Sequence, residues 1–167
     1  MITCNKVIKI GMQAACSVGI CVSLTGCFGS KPEPALPDFK PKALDDKARG
    51  ITIASSKPYN CKVVGETEGH DEVEGKVANV TKAKIRLGAI NDLKNESVHT
   101  IKEGQKVMIA IAKEEMMCKQ YPVDKKGRVQ WNVPAKEVEC TNVDPIPQNM
   151  KIASFKVYGD LYDCGAK

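Results

Sequence analysis

Lys106-Val107-Met108-Ile109-Ala110-Ile111-Ala112 is the stretch on which the fold reading turns. One charged residue is followed by six apolar ones without a break. A half-exposed strand would alternate polar and apolar residues. A run that is apolar on both faces predicts a strand inside a sheet. Upstream, a helix is expected from about Val80 to Ile101, with Asn79 as N-cap and Glu103-Gly104 as its end. Val80, Ala83, Leu87, Ile90, Leu93 and Ile101 recur mostly every three or four residues and form its apolar face. Lys94 interrupts that face. Gly88 sits mid-helix, where it costs up to about 1 kcal/mol relative to alanine or lets another backbone come close.

Shorter signals surround these two elements. Ile51-Thr52-Ile53-Ala54 reads as a strand ended by Ser55-Ser56-Lys57-Pro58, and Cys61 to Thr67 reads as a second strand. Glu68 to Gly75 is polar and bounded by glycine, hence a loop. Asp124-Lys125-Lys126-Gly127 is a turn, Arg128 to Val133 an alternating strand, Asp144 to Pro147 a loop, and Ile152 to Tyr158 a final strand. The order predicts an α+β fold: one main helix packed on a small, largely antiparallel sheet.

The chain start has a separate logic. Lys6 and Lys9 precede an apolar run from Ile10 to Leu24, the layout of a secretory signal peptide. The run is too short and too interrupted, by Gly11, Gln13, Ser17, Gly19 and Ser23, for a membrane-spanning helix of about 20 apolar residues. It ends in Leu24-Thr25-Gly26-Cys27, which resembles the bacterial lipobox Leu-x-Gly-Cys. The resemblance implies cleavage after Gly26 by the lipoprotein-processing machinery. It also implies a diacylglycerol and an N-acyl chain on Cys27, and no other cofactor. Phe28 follows. Aspartate there is the inner-membrane retention signal of enteric relatives, so sorting to the outer membrane is expected, with the head facing the periplasm. Residues 1–26 are thus read as the signal peptide. Residues 27–49, with Pro32, Pro34, Pro37 and Pro41, are read as a lipidated, extended tether, and 50–167 as the periplasmic domain.

Charge and cysteines narrow the function classes. The formal net charge is +5, and losing the two leader lysines leaves +3. Acids and bases are interleaved, not gathered into the cationic face a nucleic-acid binder needs. Cys4, Cys16 and Cys21 fall in the leader, and Cys27 carries lipid. Cys61, Cys118, Cys140 and Cys164 remain, an even number that in an exported domain predicts two disulfides. No pair of them has Cys-x-x-Cys spacing, which argues against a metal site. Four cysteines allow three connectivities. The favoured one joins Cys61 to Cys164, at strand ends that meet if those strands are antiparallel neighbours. Cys118 with Cys140 would then clamp a hairpin excursion.

Three patches resemble a family of small Gram-negative envelope lipoproteins without an assigned biochemical function. That family is distantly similar to the outer-membrane stress sensor of the Rcs phosphorelay. Cys61 with Gly65-Glu66 matches its Cys-x-x-x-Gly-Glu opening. Gly88-Ala89 with Asn91, Leu93 and Asn95 matches its helix, and Gly159 to Cys164 its Gly-x-x-Tyr-x-Cys ending. Glu96 to Ile101 departs from the family's small-residue continuation, and Cys118 to Cys140 looks like an insertion. The resemblance implies the fold and an envelope location; the Rcs sensor's signalling role does not carry over, and an envelope protein as partner is an expectation of the functional reading.

No nucleophile motif, phosphate-binding loop or metal-ligand spacing is present. Asp71, Glu72 and Glu74 beside His70 invite a calcium site, but their spacing is not that of an EF-hand, and a solvated acidic loop is the simpler reading. His70 and His99 read as surface histidines. Asn91 and Asn95 share a helix stripe and predict a polar ladder to a loop or partner. Trp131 is expected to pack on the domain, and Met108, Met116 and Met117 to fill gaps beside the sheet. The expected function is a lipid-anchored, non-enzymatic envelope lipoprotein that binds an envelope protein or serves stress sensing or envelope maintenance. The alternatives are a surface-exposed, host-interacting lipoprotein and a thiol-redox or metal-dependent enzyme.

Overall fold

The apolar run at Val107 starts a strand twice as long as its sequence signal. In the structure, a computed structural model that describes residues 34–102 and 105–165, five strands and one helix follow one another. They are β1 (Thr52–Ala54), β2 (Lys62–Glu72), α1 (Lys82–Ser97), β3 (Val107–Gln120), β4 (Lys136–Glu139) and β5 (Met150–Asp163). A single 3-10 turn, Asp46–Ala48, precedes them. The expected leader, the lipobox residues Leu24, Thr25 and Gly26, and Cys27 lie outside the described residues.

The sheet order is β1-β3-β5-β2, with β4 pairing the second half of β3. Only β1–β3 is parallel; β2–β5, β3–β5 and β3–β4 are antiparallel. The fold is therefore α+β, one helix on a mixed, mostly antiparallel five-stranded sheet. β3 is interior, as its continuous apolar run requires. Its register shifts between Ile111 and Lys113. One extra residue there inverts the alternation. Ile109 faces the core before the shift, and Met116 and Cys118 face it after; all three are fully buried.

α1 covers one face of β2 and β5. Ile85, Ala89 and Leu93 pack with Ile109, Phe155, Val157 and Leu161 in one cluster. The contact is close because β2 offers a glycine there. A Cβ on Gly69 would overlap the backbone of Ala89 and Leu93, while one on Gly159 would strike the Ile109 side chain of the adjoining strand.

Several expectations are corrected. The helix is shorter, Lys82–Ser97, and Thr81 caps it by accepting from the Lys84 N–H at 3.2 Å. Asn79 has φ 56° and instead donates from its amide to Asp38. The buried stripe is Ile85-Ala89-Leu93-Ser97 with Gly88, while Ala83 and Leu87 are exposed. The predicted face took Ala83 and Leu87 in place of the buried Ile85 and Ala89, and it passed over the glycine and serine that the close packing selects. Glu68 to Glu72 belongs to β2 rather than a loop. Gly69 and Asp71 point at the helix, and Glu68, His70 and Glu72 are exposed on the other side of this edge strand. Arg128 to Val133 forms no strand; only Val123 and Val129 pair across the turn. The strand that does pair is Lys136–Glu139, largely exposed and so without an apolar signature. Finally, residues 35–49 are not a free tether. They belong to the same compact unit as the rest of the domain and bury Phe39 and Ala48.

Cys61–Cys164 and Cys118–Cys140 are both bonded, with sequence separations of 103 and 22. The first ties the start of β2 to the end of β5, where Lys62 lies opposite Asp163. The chain-entropy model assigns about 4.7 kcal/mol to the larger loop and about 3.4 kcal/mol to the smaller. Urea unfolding should therefore show a larger loss for C61A/C164A than for C118A/C140A. Gly69→Ala should lower stability by about 1–3 kcal/mol or more through overpacking. An unchanged melting curve for that variant would mean the helix does not rest on Gly69.

Candidate functional site

α1 presents a polar stripe to the chain segment that enters the domain, and residues 37–45 lie along it as a strap. Phe39 donates its N–H to Ala78 O and Ala78 donates to Pro37 O, at 2.9 and 2.8 Å. Further along, the Asn91 amide donates to Lys42 O at 2.8 Å and the Asn95 amide to Ala43 O at 3.0 Å. The Asp45 N–H returns a bond to Asn95 Oδ1 at 2.9 Å. The expected Asn91–Asn95 ladder therefore exists, and its partner is the chain's own backbone.

Two carboxylates complete this clasp. Asp92 accepts from Lys42 Nζ at 3.0 Å and from the His70 N–H at 2.8 Å, joining strap, helix and edge strand. Asp71, buried beneath the strap, accepts from the backbone N–H groups of Lys42 and Glu72 at 3.2 and 3.0 Å. Burial raises its pKa above the ordinary aspartate value, and those two N–H groups oppose the shift. Gly88 is required here, because a Cβ would overlap the Asp71 carboxylate and crowd the Lys42 N–H. Of the family-motif positions, Gly88, Asn91 and Asn95 serve the clasp, while Ala89 and Leu93 serve the core. Gly65 and Glu66 lie apart from it, next to a register shift in β2 between Val63 and Gly65. The roles of Asp71, Asp92 and Lys42 were missed: the sequence shows them as scattered charges, and only the fold brings them together.

A second feature stands at one end of the sheet. Residues 121–135 form an excursion between β3 and β4, its base fixed by the buried Cys118–Cys140 bond. Asp124 shapes its turn. One carboxylate oxygen accepts from the Lys126 and Arg128 N–H groups at 2.8 and 2.9 Å; the other accepts from Arg128 Nε at 2.8 Å. The Arg128 N–H and then its guanidinium hold the Asp124 pKa below the usual value. Gly127 takes φ 78°, which the turn needs and glycine tolerates. Trp131 packs on Tyr121 with ring centroids 4.8 Å apart, and Lys151 Nζ sits 4.3 Å from the Trp131 centroid. Trp131 is nevertheless 49% exposed, with Val123 at 47% and Val133 at 37%. The expected packing on the domain is thus only partial.

Other candidates hold less. A groove of about 640 Å³ beside the C-terminal end of α1 has an apolar floor that includes Ile51 and Val107, with Lys47 and Lys106 at its rim. His70 and His99 are exposed. Among the described residues, no group of three His, Cys, Asp or Glu side chains is placed to hold a metal, and no helix is long and apolar enough to cross a membrane. No family model, curated protein or solved structure matches the chain.

The clasp generates two expectations. Asn91→Ala with Asn95→Ala removes three hydrogen bonds, each worth about 1 kcal/mol net. Amide exchange should accelerate across residues 38–48 while the β3–β5 core stays protected. Asp71 sets a pH dependence. Its raised pKa means the folded state keeps a proton that the unfolded chain has released. This contribution to stability is full at acidic pH and is lost as pH rises through the folded-state value. Melting temperature followed against pH should show that fall, and Asp71→Asn should flatten it.

Proposed function

We propose that the chain is a lipid-anchored, non-enzymatic binding protein of the bacterial envelope, held by an acylated Cys27 and sorted to the outer membrane. Its head then meets an envelope component from a fixed, short distance. The observation that carries this reading is the division of labour between the two features of the head. The polar groups of the α1 stripe are spent on the chain's own strap, in bonds such as Asn91 to Lys42 O. The excursion instead leaves three of the seven large exposed apolar side chains found among the described residues within eleven positions, on a base fixed by a disulfide. Apolar side chains gathered on a surface mark interaction sites more often than chance exposure does. One of the two disulfides bears on the enzyme alternative as well. Cys118 and Cys140 are buried in their bond, which withholds them from the access that thiol exchange requires.

The anchor is tested at Cys27. Cys27→Ala should abolish acyl labelling and leave an uncleaved precursor or a protein lost from the outer-membrane fraction. Normal cleavage, labelling and membrane fractionation of that variant would defeat the reading.

A further inference from the structure

We propose that the excursion of residues 121–135 docks on the surface of an anionic lipid bilayer, a contact that rests on the anchoring reading above and gives it a second point of attachment. Three observations lead there. The first is the apolar edge formed by Trp131, Val123 and Val133, each between a third and a half exposed. An indole with one wet face suits the boundary between headgroups and acyl chains.

The second is charge. Lys125, Lys126 and Arg128 lie in the excursion, Lys136 opens β4 at its base, and Lys151 stacks against Trp131. Asp124 is the excursion's only acid and is committed to Arg128. Lys125, Lys126 and Lys136 make no ion pair among the described residues, and Glu137 and Glu139 follow Lys136 on β4. A lysine near an anionic membrane surface contributes roughly a fivefold change in partition. An acidic protein surface would match the lysines but not the apolar Trp131 edge, whereas an anionic bilayer offers charge at its headgroups and an apolar layer beneath them. A second copy would set like charges together.

The third is where the chain enters. The strap begins at the Asp38–Ala78 pairing, just before the N-terminus of α1. From that helix end Lys82 Nζ reaches Thr141 O, next to Cys140 at the base of the excursion. The strap and the excursion therefore start from the same end of the sheet. Cys27 and Ala35 are eight residues apart, a reach of at most about 28 Å. An acylated Cys27 would thus keep that end of the sheet, from which the excursion also starts, within that reach of the bilayer.

Trp131 is the only tryptophan of the chain, so its fluorescence reports on this patch alone. The lipidated chain is reconstituted into vesicles of pure phosphatidylcholine and of phosphatidylcholine with phosphatidylglycerol at 3:1. In the anionic vesicles Trp131 emission should shift to the blue, become shielded from acrylamide and be quenched by brominated acyl chains. In neutral vesicles, or at high salt, it should stay exposed. The K125Q/K126Q/K136Q variant should lower the ratio of shielded to exposed Trp131 roughly 100-fold in the anionic vesicles. Emission that is the same in both vesicle types overturns the proposal. So does shielding that grows with protein density whatever the lipid, which would identify a second copy as the occupant. Flotation separates the two readings. A chain that floats with neutral vesicles but leaves Trp131 exposed everywhere retains its anchor and lacks the docking contact. A chain that floats only with anionic vesicles has the docking contact and lacks the anchor.

Discussion

The helix backbone lies directly on the sheet, and nearly everything else follows from that contact. Ala89 and Leu93 come so near β2 that only glycine fits at position 69. A helix brought this close buries Ile85, Leu93, Val157 and Leu161 around one aromatic side chain, Phe155. That suits a chain in which aromatic residues are only 5% of the composition. The same approach sets Gly88 against Asp71 and the strap, so one close contact positions both the core and the clasp.

Where local pattern and tertiary demand agreed, the sequence was readable. The continuous apolar run at Val107 required an interior strand. The β-branched residues around Val63 and Ile152 marked two further strands, and the cysteines paired as strand ends and an excursion base suggested. The helix face was misread for a physical reason. The apolar residues fit two stripes, and the buried one, Ile85, Ala89 and Leu93, is completed by Gly88 and Ser97, which carry no apolar signal to single it out. Leu87, the apolar residue beside them, faces out. β4 was invisible because an edge strand with one half-buried valine needs no alternation, and the polar half of β2 read as a loop for the same reason.

The clasp was half legible. Asn91 and Asn95 stood out as a stripe seeking a partner, but the partner's identity is a long-range fact. Prolines at 37 and 41 made the strap look like an open linker, since they remove donors and favour extension. Extension is also the shape that lets asparagine side chains on α1 read the carbonyls of Lys42 and Ala43 in turn. The composition that suggests freedom therefore suits docking equally well once a row of amides lies alongside.

The Cys61–Cys164 bond has a mechanical meaning. It closes a covalent ring of β2, α1, β3, β4 and β5, and leaves residues 35–60 as the described length between the entering chain and that ring. Tension applied from the N-terminal side meets the Asp38–Ala78 pairing first and the Asn95 bonds later, so the strap would yield bond by bond. The 26 residues from 35 to 60 have a contour length of at most about 90 Å, and there the slack ends, because the next residue is held across the ring. Reaching that length also strips β1 from β3, and the four strands inside the ring then bound the stroke, because the pull cannot draw them out.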